Sequence, residues 1–169
     1  MRRVLDALYR ASAVLAALAM VGLLGCVLLS IVSRQLGWAV QGLDAYAGYL
    51  MAAAGFLALA PTLRKGEHIR VELLLQSLSK KKQRALNLWA LAAGFVLATL
   101  LAWYSVRLVW QSYSFNDIST GNDGTPLWLP QLGMAAGTLI FALALLDALV
   151  GYARGEPSAA VADSAARSE

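Results

Sequence analysis

Along the chain, polar and apolar positions are distributed in blocks rather than in alternation. Four long apolar runs follow one another: 11–33, 45–63, 85–106 and 132–152. Arg10 and Arg34 bracket the first, Asp44 and Arg64 the second, and Arg84 and Arg107 the third; the fourth ends before Arg154. None contains Lys or Arg. Each approaches the ~20 residues that a helix needs to cross about 30 Å of hydrocarbon. Transmembrane strands would be about half as long and would alternate polar with apolar residues. The pattern therefore predicts an all-α integral membrane protein with four transmembrane helices.

Composition agrees. Of 169 residues, 59% are hydrophobic and 14% charged, with a mean hydropathy of +0.61. A soluble domain averages about 25% charged residues, and one core of this size could not cover so much apolar surface. The net charge of +4 does not point to nucleic acid, because the cations are sorted between alternate connections. Every Lys and Arg except Arg34 and Arg107 falls on the N-terminal flank, on the 64–84 connection or after the fourth run. Positive charge marks the cytoplasmic side. Both termini and the 64–84 connection are thus expected to be cytoplasmic, and the 34–44 and 107–131 connections to face the opposite side. Trp38, Trp103, Trp110 and Trp128 gather at the outer ends of the runs, where amphipathic rings prefer to sit.

The single cysteine, Cys26, lies inside the first run, so no intrachain disulfide is available. Leu23-Leu24-Gly25-Cys26 has the look of a lipoprotein cleavage box, but the apolar run continues beyond the Cys. The run is also longer than the 7–15-residue apolar region of a secretory signal. Within 64–84, Lys80, Lys81, Lys82 and Arg84 read as topology determinants that also touch anionic lipid. Ile69, Val71, Leu73, Leu74, Leu75 and Leu78 interleave with Arg70, Glu72 and Gln76, as in a short amphipathic segment lying in the membrane plane. Residues 153–169 read as a disordered cytoplasmic tail behind the membrane domain 1–152.

Transport chemistry within a bilayer usually leaves an ionisable residue in mid-span. Asp147 is the only acid inside a run, near the inner end of the fourth, where pairing with Arg154 or Arg10 is expected. No Walker loop, GxGxxG, CxxC or HExxH is present. The lone His68 cannot build a metal or haem site by itself, so no cofactor and no enzymatic activity are expected. The oxygen-rich stretch 116–124 lacks the closing glutamate of a calcium loop and reads as turn chemistry. Gly133 and Gly137 form a GxxxG on the fourth helix; Gly22, Gly25, Gly48 and Gly55 add notches on the first two. Small residues let helices approach closely, either within this chain or against a larger membrane partner.

Taken in order, the polar stretches resemble a known family. Ser33-Arg34 closes the first helix, and Leu43-Asp44-Ala45-Tyr46 opens the second with an acid followed by an aromatic. Then come Leu63-Arg64-Lys65-Gly66-Glu67-His68-Ile69-Arg70-Val71-Glu72-Leu73 and, before the fourth helix, Pro126-Leu127-Trp128-Leu129-Pro130. The chain resembles the small membrane (DctQ-type) subunit of a tripartite ATP-independent periplasmic (TRAP) transporter over about residues 5–152. Asp44 departs from the Glu more common there. The resemblance implies a bacterial inner-membrane protein seated beside a large many-helix subunit, which carries substrate and sodium ions. A periplasmic substrate-binding protein would deliver an organic acid to the pair. It implies structural or partner-contact roles for Gly66, His68, Arg70, Trp128, Gly133 and Gly137, with His68 and Arg70 bonding helix ends or the partner. An Arg34–Asp44 ion pair is expected to close the first connection. Two rivals stand beside this reading: a self-contained homodimeric transporter using Asp147, and a membrane anchor for a redox enzyme.

Overall fold

The computed structural model describes residues 2–38, 40–64, 79–121 and 123–154. It contains four helices long and apolar enough to cross a membrane: α1 (Arg2–Gln35), α2 (Leu43–Arg64), α3 (Lys80–Ser114) and α4 (Trp128–Ala153). Among the described residues there is no strand, only an isolated bridge between Ile118 and Pro126. The amphipathic segment expected after Arg64 lies outside the described residues, as do Gly66, His68 and Arg70 and the tail beyond Arg154.

The helices outrun the apolar runs. α1 has 34 residues, about 51 Å at 1.5 Å per residue, against about 30 Å of hydrocarbon. Its extra turns carry Arg3, Asp6 and Arg10; those of α3 carry Lys81, Lys82 and Arg84 at one end and Arg107 to Ser114 at the other. Helix α4 starts at Trp128, earlier than the apolar run. Pro130 is the third residue of that helix, where a backbone N–H would have no intrahelical partner, so the proline does not delay the start.

The helices pack in the order α1, α2, α4, α3, with only slight contact between α1 and α4. The result is an open layer rather than a closed bundle. The edge helices each turn one buried to half-buried stripe inward. On α1 the stripe is Tyr9, Ser12, Ala16, Ala19, Leu23, Cys26, Ser30 and Ser33, alternating steps of three and four; this is the spacing of a left-handed helix pair. On α3 it passes through Ala98, Ala102, Ser105 and Ser112. The rest of both helices displays large apolar side chains such as Leu18, Val21, Leu97 and Trp103, which in a bilayer face lipid at no cost. Helix α4, between α2 and α3, buries residues on two sides, including Ala135, Gly137, Thr138, Ala142 and Ala144.

Two seams show how the layer is held. At α2–α4, a Cβ on Gly137 would come within 2.5 Å of the Phe56 carbonyl carbon and 2.8 Å of the Leu57 nitrogen, and one on Gly133 within 3.0 Å of Ala53 Cβ. The GxxxG is thus spent inside the chain. At α1–α2, the Ser12 hydroxyl donates to the Leu57 carbonyl at 2.6 Å. That carbonyl is the one left without a helical donor by Pro61, four residues on, which has no N–H. A proline in one helix and a serine in its neighbour therefore complete a single buried backbone requirement.

Candidate functional site

The helix ends that carry Trp38, Trp110 and Trp128 hold most of the polar side-chain geometry. The loop between α3 and α4 folds back on itself: Ser119 N–H donates to the Thr125 carbonyl at 2.9 Å and Leu127 N–H to that of Asp117 at 3.0 Å. Ser119 Oγ donates to Asp123 Oδ1 at 2.7 Å. The Tyr49 hydroxyl, from α2, reaches both Asp123 Oδ2 at 3.1 Å and Ser119 Oγ at 2.9 Å. Thr125 Oγ1 donates to the Tyr46 hydroxyl at 3.1 Å, and the two tyrosine rings meet edge to face. Hydrogen bonds from Ser119 first, then Thr125 and Tyr49, lower the Asp123 pKa to about 2. The oxygen-rich loop is thus a latch that ties the α3–α4 connection to the start of α2. Its composition was legible in the sequence; its tyrosine partners, some 70 residues away, carried no local signal.

Beside this latch, the α1–α2 turn forms an open groove of about 300 Å³ lined by Ser30, Ser33, Arg34, Trp38, Gln41 and Asp44 among others. Gly37, at φ +70°, ends α1: Trp38 N–H bonds the Ser33 carbonyl at 2.8 Å and Gly37 N–H that of Arg34 at 3.4 Å. That is the Schellman closure, for which glycine is favoured. Arg34 and Asp44 share the groove, but no ion pair joins them among the described residues. The expected closure of this connection by opposite charges is replaced by a backbone closure.

Pro126 forms the bridge with Ile118. Trp128, half-buried, packs edge-on against Tyr113 at 5.7 Å between centroids. Its ring is therefore engaged within the chain, at the α3–α4 seam.

At the opposite ends, Tyr9, Ala60 and Ala144 meet in a small buried cluster joining α1, α2 and α4. Arg64 pairs with Asp6 and lies 5.0 Å over the Tyr9 ring, a cation–π arrangement. Arg84 donates to the Ala153 carbonyl at 3.4 Å and Asn87 to the Tyr152 hydroxyl at 3.1 Å. Asp147 is exposed and pairs with neither Arg154 nor Arg10 among the described residues. Arg154 lies seven residues on, about 10 Å along the axis. Asp6 was the acid that the reading of this end missed, because it sits outside the apolar run.

Among the described residues, no group of three or more His, Cys, Asp or Glu side chains is arranged to hold a metal ion. What the geometry offers is helix packing and a latched loop at one end. The family model for "Tripartite ATP-independent periplasmic transporters, DctQ component" matches residues 23–155. The chain belongs to the DctQ family. The match spans α2, α3 and α4 entirely and the C-terminal part of α1 from Leu23 on, so it takes in the latch, the groove and the GxxxG seam. DctQ is a transporter component family and not an enzyme family, and the four helices make this member a multi-pass membrane protein. No individual curated protein matches the chain.

Proposed function

We propose that this DctQ-family chain is the small permease subunit of a TRAP transporter in a bacterial inner membrane, with both termini cytoplasmic. It widens the fixed scaffold of a large many-helix subunit during sodium-driven uptake of an organic acid, such as a dicarboxylate. A periplasmic substrate-binding protein delivers that acid.

The observation that supports a scaffold is the unfilled face of α2. With Gly133 and Gly137 consumed at the α2–α4 seam, Gly48, Ala52 and Gly55 remain as an exposed stripe. A Cβ on Gly48 or Gly55 would meet nothing within 4 Å. Lipid does not require such notches, whereas a close-packed helix does. An open layer with a small-residue stripe on an interior helix suits a broad, flat contact with a larger helical protein. The absence of charged residues from mid-span favours a supporting role over a conducting one.

The test is co-purification from a gentle detergent extract. Wild type is expected to bring down a large many-helix membrane protein near one-to-one. Gly48→Leu and Gly55→Leu are expected to lose it while remaining monodisperse, and Ala17→Leu, on the exposed side of α1, is expected to keep it. A wild-type homodimer with no second chain would sink the proposal.

A further inference from the structure

The groove at the α1–α2 turn belongs neither to the latch nor to the α2 stripe, and its chemistry is specific. Arg34 lies in the last turn of α1 and Asp44 in the first turn of α2, so one groove presents a guanidinium and a carboxylate. They are not spent on each other. Nor is Arg34 needed to cap α1, because Gly37 and Trp38 already bond the carbonyls of Arg34 and Ser33. Ser33 Oγ donates to the Ser30 carbonyl at 3.0 Å, which leaves its lone pairs to accept. Trp38, 65% exposed, places an amphipathic ring at the headgroup depth that tryptophan prefers.

A ligand for this groove that engages both charges carries an anion that suits a planar fork of donors and, separately, a cation that can donate to oxygen. Arg–phosphate pairing is commonly bidentate. A primary ammonium can donate to the Asp44 carboxylate and the Ser33 hydroxyl; a trimethylated one cannot. The volume, about 300 Å³, lies at the lower bound of small-ligand clefts, about 300–1,000 Å³. It would take a headgroup and not whole acyl chains, which would run down the exposed apolar flank of α1. We infer that this groove binds the phosphoethanolamine headgroup of a membrane phospholipid, with Arg34 on the phosphate and Asp44 on the ammonium.

Native mass spectrometry of the purified full chain tests this, with dioleoyl phosphatidylethanolamine, phosphatidylglycerol and phosphatidylcholine added in turn. Soluble phosphoethanolamine and inorganic phosphate serve as competitors. Phosphatidylethanolamine is expected to be retained most tightly. Arg34→Ala should weaken its retention about tenfold, the scale of one lost charge-assisted contact. Arg34→Lys should fall between, and circular dichroism checks that each variant is folded. Asp44→Asn should remove the preference for phosphatidylethanolamine over phosphatidylglycerol while leaving a phosphate-dependent remainder. Equal retention of phosphatidylglycerol by wild type, or an unchanged preference in Asp44→Asn, would overturn the assignment. Saturation by soluble phosphoethanolamine or phosphate with no lipid retained would move the site to an aqueous anion and overturn it equally.

Discussion

Replacing Ser12 by Ala removes the hydroxyl that reaches the Leu57 carbonyl at 2.6 Å. Ser12 is 1% exposed and Leu57 7%, so neither lipid headgroups nor water can take its place. Interhelical hydrogen bonds in membranes average only about 0.6 kcal/mol, because the groups also find partners when the helices are apart, the acceptor most readily in its own helix. Here Pro61 has removed that partner, and an orphaned buried acceptor costs about 1–3 kcal/mol. Ser12→Ala is accordingly expected to destabilise the fold by about 1–2 kcal/mol, the upper part of the membrane range. Pro61→Ala restores a donor for Leu57, so Ser12→Ala in that background should cost about 0.5 kcal/mol or less. The coupling between the two sites is then about 1 kcal/mol, well above the error of a double-mutant cycle. The assay is reversible unfolding of the full chain in mixed micelles, followed by circular dichroism. An equal cost of Ser12→Ala with and without Pro61, or no cost at all, would refute the claim that the two residues complete one backbone requirement.

Gly137→Ala puts a Cβ within 2.6 Å of the Phe56 carbonyl oxygen, against about 3.5 Å for a comfortable contact. The seam must open by nearly 1 Å, and the same unfolding assay should show a loss of about 1–3 kcal/mol; Gly55→Ala, in open space, should lie within about 0.5 kcal/mol of wild type. Tyr49→Phe removes the hydroxyl shared by Ser119 and Asp123 and is expected to cost about 0.5–1.5 kcal/mol, with faster proteolysis or hydrogen exchange confined to the loop between α3 and α4. The Asp123 pKa of about 2 is below the ordinary value near 4. The stability it contributes is therefore fully present above about pH 4 and lost as pH falls through about 2. A near-ultraviolet titration should be flat above pH ~5, should change below that window, and should lose the change in Asp123→Asn.

The four spans were legible because runs without Lys or Arg have one economical reading at this length. Which face of each helix meets which neighbour was not. In water a helix advertises its buried side by polarity, but lipid and a neighbouring helix are equally apolar, so that contrast vanishes on helices such as α3. Small residues are the signal that remains. Gly133 and Gly137 correctly announced a close approach, yet nothing in their spacing said whether the approaching backbone would be Phe56 of the same chain or that of another. Arg34 and Asp44 misled in the opposite way. Their charges and depth invited a pair, while the Gly37 turn that settled the closure acts through backbone bonds.

The order α1, α2, α4, α3 has a consequence for assembly. In a closed bundle every helix turns its small residues toward a common centre, and the outside need only suit lipid. In an open layer the interior helices α2 and α4 have two lateral neighbours and two broad faces, so notches can survive on a face after both seams are made. Gly133 and Gly137 serve a seam; Gly48 and Gly55 do not. Filling the second pair with Leu therefore separates two ideas that the sequence could not. If those notches are surplus, stability and every partner interaction stay as they are. If they receive a helix, the isolated chain remains as stable as before and only the complex is lost, an outcome that no defect in the chain's own packing would produce.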